Sequence, residues 1–512
     1  MKGFFSGRRH AVVITFAVMV FIARGTPGVR GAERLLTLEQ AIEIALEDGF
    51  EMKSLHLQII QAEENRRAAK YRFRSSAEMT LSAPTWSENV SAIQVPNGLP
   101  IYNRLGTLRY QTVLNINQPL PTDGRITFRS QLYKSEETNY LAETNETLKR
   151  MDFLSSMRIY MTQPLLTYNR LKTGLREAEL NYERTSLSST RNRLTIIYEI
   201  TNSFYTLYNA TRRHEIARET FEQQEQAYEL ARLKYEAGLI PEVEALRMEV
   251  NLASARSGLF DAEANLASQK EAFKLDLGLD IGDEIGAKTD IVYSHFDIDL
   301  DTAVEKGLEH RTEIREREIA IELNRIGIER IDSDNEVRAD LTAFFDLTGY
   351  SDPNLPFGTQ SNDLFDSSWE DLKRRPGNRG VTLTFSLPIW DWGVNKAQVA
   401  SARADLKRNE LSLKEDHKRI INSITDAVRR VQSAENSLVV LQKSQEVAQR
   451  TYDISLERFN NGEITSQDLA LDNKSLSEAK MSFLGAYISY KLAVEDLKRK
   501  TMWDFENNQT VE

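Results

Sequence analysis

Two stretches of this chain, Tyr168–Tyr235 and Trp392–Phe459, each run 68 residues without a proline. As α-helices they would each be about 100 Å long, well beyond the diameter of an ordinary domain. The two stretches are also copies of one another. Pro164 precedes Gly238 by 74 positions, and Pro388 precedes Gly462 by the same 74. The offset of 224 pairs Tyr228 with Tyr452, Ile240 with Ile464 and Ala255 with Ala479. Upstream, Leu38, Ala41, Leu46 and Ile59 pair with Leu300, Ala303, Leu308 and Ile321 at an offset of 262. The copies differ by extra residues in one place, between about 84 and 156. The chain therefore reads as a duplicated unit, residues 32–278 and 279–503, followed by a C-terminal tail at 504–512.

Within the long stretches the apolar seam steps by three and four. Positions 420, 424, 427, 431, 434, 438, 441, 445, 448 and 452 read I-I-A-V-A-L-L-Q-A-Y, and their counterparts 196–228 read I-I-S-L-A-H-A-F-Q-Y. This is the heptad-like pattern of helices packed against helices. Gly238 and Gly462 then turn the chain at tips 236–241 and 460–466. Return helices are expected at 242–277 and 467–500, about half as long. Glu242–Leu277 and Glu39–Arg72 together have 70 residues, close to the 68 of the long helix. Gln467–Lys500 and Asp301–Val337 together have 71. Two short helices stacked end to end would thus match one long helix, with a break at Gly49. Thr37-x-x-Gln40 is a capping box that starts the first of them.

Between the helical stretches the period changes to two. Near 73–83, Phe73, Ser75, Ala77, Met79 and Leu81 share one face and Arg74, Ser76, Glu78, Thr80 and Ser82 the other. Similar strands are expected at 155–164, 339–350 and 380–388, the last with Val381, Leu383, Phe385 and Leu387 on its apolar face. The insertion adds alternating stretches around Leu108–Gln118 and Ile126–Leu132, flanking the turn Pro121-Thr122-Asp123-Gly124, and reads as an extra hairpin over 108–132. Pro164 and Pro388 suit strand-to-helix junctions, where no amide donor is lost. Trp390 and Trp392 follow the clearest strand. Two readings stand for them: an aromatic belt at a membrane interface, or packing at the junction. Four amphipathic strands, or six with the insertion, cannot close a membrane barrel alone, since the smallest need about eight. The chain should therefore share a barrel with other copies.

Lys2, Arg8 and Arg9 precede the apolar run Ala11–Ala23, with small residues after it. Residues 1–31 read as a secretory signal peptide. Their loss takes the net charge from −11 to −16, which argues against nucleic-acid binding. The chain has no Cys, which excludes thiolate catalysis, Cys-based metal sites and a lipid anchor on an N-terminal Cys. The six His residues form no His-x-x-x-His or His-x-His arrangement, and His214-Glu215 fails as a zinc motif because residue 218 is Arg. No nucleotide-binding loop or nucleophile elbow is found. No metal, cofactor or enzymatic activity is expected.

Leu36-Thr37-Leu38-Glu39-Gln40-Ala41, the two strand–Pro–helix junctions, and the tips Lys234-Tyr235-Glu236-Ala237-Gly238-Leu239 and Arg458-Phe459-Asn460-Asn461-Gly462 resemble the TolC-type outer membrane efflux protein family. The resemblance spans about 32–503. It implies a mostly α fold with a β-barrel portion. Three copies would form a 12-stranded barrel in the outer membrane, continued by a 12-helix tunnel across the periplasm. The implied partners are a periplasmic adaptor and an inner-membrane pump of RND or ABC type, in efflux or type I secretion. It also implies an acidic constriction ring at Asp468, six past Gly462, and Glu244, six past Gly238. An ordinary acidic residue in a helix first turn is the other reading of both. The family's second acidic position is Leu471 here, and its basic latch is Ile464. Ala237, Gly238, Leu239, Asn461, Gly462 and Glu463 resemble adaptor-docking turns, and both Gly residues also suit helix C-caps. Two other functions stay in view: a periplasmic coiled-coil adaptor or scaffold, which would not need the strands, and an exported enzyme.

Overall fold

The computed structural model describes residues 34–96, 98–289, 293 and 297–510, so the expected signal segment at 1–31 lies outside the described residues. The first copy comprises β1 (Arg34–Leu36), α1 (Leu38–Asp48), α2 (Phe50–Tyr71), four strands β2 (Ser76–Ile93), β3 (Ile101–Pro119), β4 (Arg125–Leu141) and β5 (Glu146–Pro164), then α3 (Arg170–Glu236) and α4 (Glu242–Leu277). The second comprises β6 (Ile285–Ala287), α5 (Leu300–His310), α6 (Thr312–Ser333), β7 (Arg338–Tyr350), α7 (Ser361–Arg374), β8 (Asn378–Ser386), α8 (Val394–Asn460) and α9 (Ser466–Thr501). A two-residue hairpin, β9 (Trp503–Asp504) and β10 (Gln509–Thr510), ends the described chain.

Each long helix has 67 residues and is lined by helices of 36 and 22 residues set end to end. At one joint α4 ends on Gly278 (φ 73°), where a Cβ would sit 2.6 Å from the Asp48 carbonyl oxygen just before α2. At the other, the end of α9 meets Gly307 of α5. The helix counts expected from the sequence included α1 and α5 in these stacks. Both break away instead. Gly49 takes an extended conformation, and the Ala45 carbonyl leaves no room for a Cβ there. Arg311 takes the same extended form in the second copy. Freed from the stack, α1 and α5 lean on the middle of the bundle, where Thr37 forms the anticipated capping box with Gln40 (3.1 and 3.4 Å).

That middle region holds the main core. Phe204, Tyr205 and Leu207 of α3 meet Ile424 and Val428 of α8 and Tyr487 and Tyr490 of α9, all nearly solvent-free. The parallel pairing of β1 with β6 clips the N-terminal segment to the linker between the copies. Burial raises the Tyr205 and Tyr490 hydroxyls far above the usual tyrosine range. Of the segment read from sequence as a tail, 504–512, the described residues 504–510 fold back through β9 and β10. Lys498 holds them with Glu506 at 2.9 Å and Asp504 at 3.4 Å.

All the long strands form one antiparallel sheet in the order β2-β3-β4-β5-β7-β8. The strands of the first copy are longer than the sequence suggested. The segment near 73–83 extends to 93, the one at 155–164 begins at 146, and the hairpin of 108–132 spans 101–141. Polar alternation beyond the apolar bands hid these extensions, because strand pairing rather than face burial holds them. Cross-strand register puts Leu114, Phe128, Ile159, Phe345 and Val381 on one face. The opposite face carries Arg129, Arg158 and Asp346 side by side. The unanticipated helix α7 packs on the apolar face: Phe365 meets Phe153 edge-on at 5.5 Å, and Ser368 and Ser155 share a buried 2.8 Å hydrogen bond. Gly349 is required there, because the Ser368 carbonyl oxygen and the Leu372 amide nitrogen occupy the space that a Cβ would need.

Candidate functional site

The paired tips lie at the end of the bundle opposite the sheet. Each is a tight reversal closed by a glycine in the left-handed region, Gly238 at φ 74° and Gly462 at φ 80°. In each, the glycine follows the C-cap and the next residue donates back into the helix, Leu239 N to Lys234 O (2.8 Å) and Glu463 N to Arg458 O (2.9 Å). This is the Schellman arrangement, which needs a residue without a Cβ penalty at that position. Ala237 and Asn461 are the C-caps themselves.

A small core joins the two tips. Ala231 and Met248 from the first copy pack with Tyr452, Phe459, Leu469 and Leu476 from the second. Ile464 and Ile240 lie against this cluster. Ile464, where the family resemblance implies a basic latch, is thus a packing residue. Lys234 crosses from the first tip to the second, its Nζ 4.5 Å from the Phe459 ring centre and 2.8 Å from the Phe459 carbonyl oxygen, to which it donates.

The two acidic positions have different surroundings. Asp468 is the third residue of α9, and its Oδ2 accepts from Thr465 N (3.1 Å) and Thr465 Oγ1 (2.8 Å) in a capping box. Those hydrogen bonds hold its exposed carboxyl below the usual range. Glu244 occupies the same place in α4, but the N-cap there is Pro241, which offers neither an amide hydrogen nor a hydroxyl. Its carboxylate instead reaches the other tip, where Ser466 Oγ donates a hydrogen bond to Oε2, and Arg247 lies 3.5 Å from Oε1. Leu471 is exposed and lines a groove between α4 and α9 with Val243, Leu246, Val250 and Lys474. Asp472, one helical step away, accepts from Ser455 at 2.6 Å.

At the opposite end of α3, Asn169 caps the helix through Lys172 N (2.8 Å). Asp123, in the β3–β4 turn, accepts from Arg170 N (3.3 Å) and Leu171 N (3.2 Å). Sequence reading missed this contact, although Pro-Thr-Asp-Gly was visible as a turn. Trp390 and Trp392 stand 76% and 94% exposed between β8 and α8, so neither packs at the junction within one chain. Pro164 ends β5 opposite Asp340, and Pro388 lies in the segment after β8. His214 is partly buried, 3.9 Å from Glu263. No cluster of His, Asp and Glu suited to a metal ion occurs among the described residues. No described helix is long and apolar enough to cross a membrane.

Comparison with known proteins gives this geometry a context. Among curated sequences, nodulation protein T of Rhizobium leguminosarum bv. trifolii is 22% identical over 327 residues, 63% of this chain and 66% of that protein, just under two thirds of its length. Among solved structures, the Campylobacter jejuni CmeC outer membrane channel superposes with a TM-score of 0.66 at 16% identity, covering 91% of this chain and 85% of the other. The open state of the Neisseria gonorrhoeae MtrE outer membrane channel gives 0.63 at 13% identity, covering 93% and 90%. At such identities these likenesses establish the fold, a duplicated helical bundle with a sheet at one end. The sequence profile of the outer membrane efflux proteins matches residues 139–279 and 359–501, more than half of the chain. The chain belongs to the outer membrane efflux protein family.

Proposed function

We propose that this protein is the outer-membrane exit duct of a tripartite efflux or type I secretion system, conducting substrate passively away from an inner-membrane pump. The observation that carries this reading is the exposed apolar face of the sheet. Met79, Leu81, Phe345, Val381 and Phe385 are 44–74% exposed in a single chain. A patch of that kind needs lipid or protein against it, and a sheet in lipid must close its edges. Trp390 and Trp392 sit at the helix end of this face, where an interfacial belt belongs. A soluble adaptor or scaffold would leave the face uncovered. The family is that of outer membrane efflux proteins, which favours a channel over an exported enzyme.

The helical wall also asks for neighbours. Val440, Val447 and Ile454 repeat every seven residues on an exposed face of α8, and Val243 and Val250 do so on α4. Such seams fit helices of adjacent copies, and a head-to-tail contact that closes gives a ring, here a homotrimer. Asp468, with Glu244 behind it, would then place carboxylates around the tunnel mouth, favouring cations. The turns Ala237-Gly238-Leu239 and Asn461-Gly462-Glu463 would dock a periplasmic adaptor. A heat-modifiable trimer in outer-membrane fractions is the expected result, and a soluble periplasmic species would overturn the reading. Asp468→Asn should lower cation selectivity in bilayer recordings, and unchanged selectivity would remove Asp468 from the pore. Glu463→Cys supplies the only thiol in the chain. It should crosslink the adaptor in cells while avoiding the strained Gly462 position.

A further inference from the structure

Three chains of four strands make a 12-stranded barrel, the number that the family resemblance implies. This chain places six strands in one sheet. We infer that its trimer closes an 18-stranded barrel, with the β3–β4 hairpin forming part of the membrane wall in every copy. The inference rests on the exit-duct reading above.

The first support is where the hairpin lies. Its turn is at the helix end of the sheet: Asn169 Nδ2 donates to Pro121 O (2.8 Å), Thr122 Oγ1 donates to Gln163 Oε1 (2.7 Å), and Asp123 accepts from the first amides of α3. A hairpin confined to the extracellular side could not reach the base of the tunnel. Both its strands therefore cross the same band as β5, β7 and β8. Within that band they carry the same apolar face. Leu114 and Ile116 of β3 pair with Met79 and Ala77 of β2, and Phe128 of β4 pairs with Ile116 and with Ile159 of β5. The nine residues of β8 match the roughly 9–11 that a strand needs to cross a bilayer.

The second support is width. Strands about 4.8 Å apart and tilted about 40° each take up roughly 6.3 Å of circumference, so six occupy about 38 Å. Beneath the sheet, α2, α3, α6 and α8 lie side by side. At about 9–10 Å per helix they span about 36–40 Å. Sheet and helix layer thus have equal widths, and one wall continues into the other without a step.

The third support is the edges. Strand β2 runs away from the helices and β8 returns toward them. An even number of strands lets β8 of one copy pair antiparallel with β2 of the next, removing every edge from the lipid. The closed barrel would be about 36 Å across its backbone, against about 24 Å for 12 strands.

Cryo-electron microscopy of the full-length protein in lipid nanodiscs tests this directly. The expected map has threefold symmetry, 18 wall strands and a backbone diameter 1.5 times that of a 12-stranded barrel. A trimer with 12 wall strands and β3–β4 outside the wall would overturn the inference and leave the duct intact. A particle without a threefold axis would overturn the duct reading and this inference with it. In a second measurement, residues 101–141 are replaced by a short linker. The remaining trimer should narrow to 12 strands, and a trimer of unchanged diameter would overturn the inference.

Discussion

The two tips share a backbone and differ in chemistry. Both turn on a left-handed glycine. At 224 positions apart, however, Phe459 is 4% exposed while its counterpart Tyr235 is 41% exposed. Thr465 builds a capping box with Asp468, whereas Pro241 leaves Glu244 free to bond across to Ser466. The second tip is held by its own residues and by Lys234. The first tip lends its side chains to the second. Duplication preserved the turn geometry, because φ at one residue is a local requirement. The side chains around it diverged, because each faces a different neighbour.

The largest break in this comparison should come from the aromatic pair. Phe459→Ala removes a buried ring from the joint core, and local opening of both tips should become easier by about 3–5 kcal/mol. Tyr235→Ala should cost less than about 1 kcal/mol, since the ring is already in water. Hydrogen exchange of amides in 228–252 and 452–476 reads both, and equal effects would remove the asymmetry. Next, Gly238→Ala and Gly462→Ala should each cost about 1–2 kcal/mol, and by similar amounts, because both replace a left-handed glycine with nothing in the way of a Cβ. Thermal denaturation of the two variants checks this, and unequal losses would show that one turn is held by more than its own φ.

Capping comes third. Thr465→Ala should cost about 1 kcal/mol, while Pro241→Ala should change stability little, because Pro241 makes no side-chain cap. Urea titration of the tip by site-specific fluorescence would separate them. The smallest effect is that of pH. Asp468 has its carboxyl depressed by Thr465, so its contribution is present above the unfolded carboxylate pKa and is lost as pH falls through the lower folded value. The second tip should therefore loosen in acid more in the wild type than in Asp468→Asn, as read by exchange rates. Identical acid responses would mean that the cap does not depend on ionisation.

Much of this molecule was legible in its residues. The duplication, the long helices, the seam positions, the return helix Glu242–Leu277 and the tip glycines all follow from local periods and local backbone demands. The tip was legible as a place, but the partners of its acids were not. Nothing near Glu244 announces Ser466, which lies 222 residues away. Helix α7 left a weaker trace. Leu364, Ser368 and Leu372 at fourfold spacing mark its buried stripe, but its support, Ser155 and Gly349, comes from two different strands.

The sequence by itself determined the long and return helices, the apolar bands of the main strands and the two tip reversals, since those depend on residues a few positions apart. Only the tertiary structure decided that the inserted hairpin joins the main sheet, that α1 and α5 leave the helical stacks, and that the two tips share one core. Each of these depends on pairings between residues far apart in the chain. Alternation specifies a strand's faces but not its neighbour, and hydrogen-bond register supplies what alternation cannot.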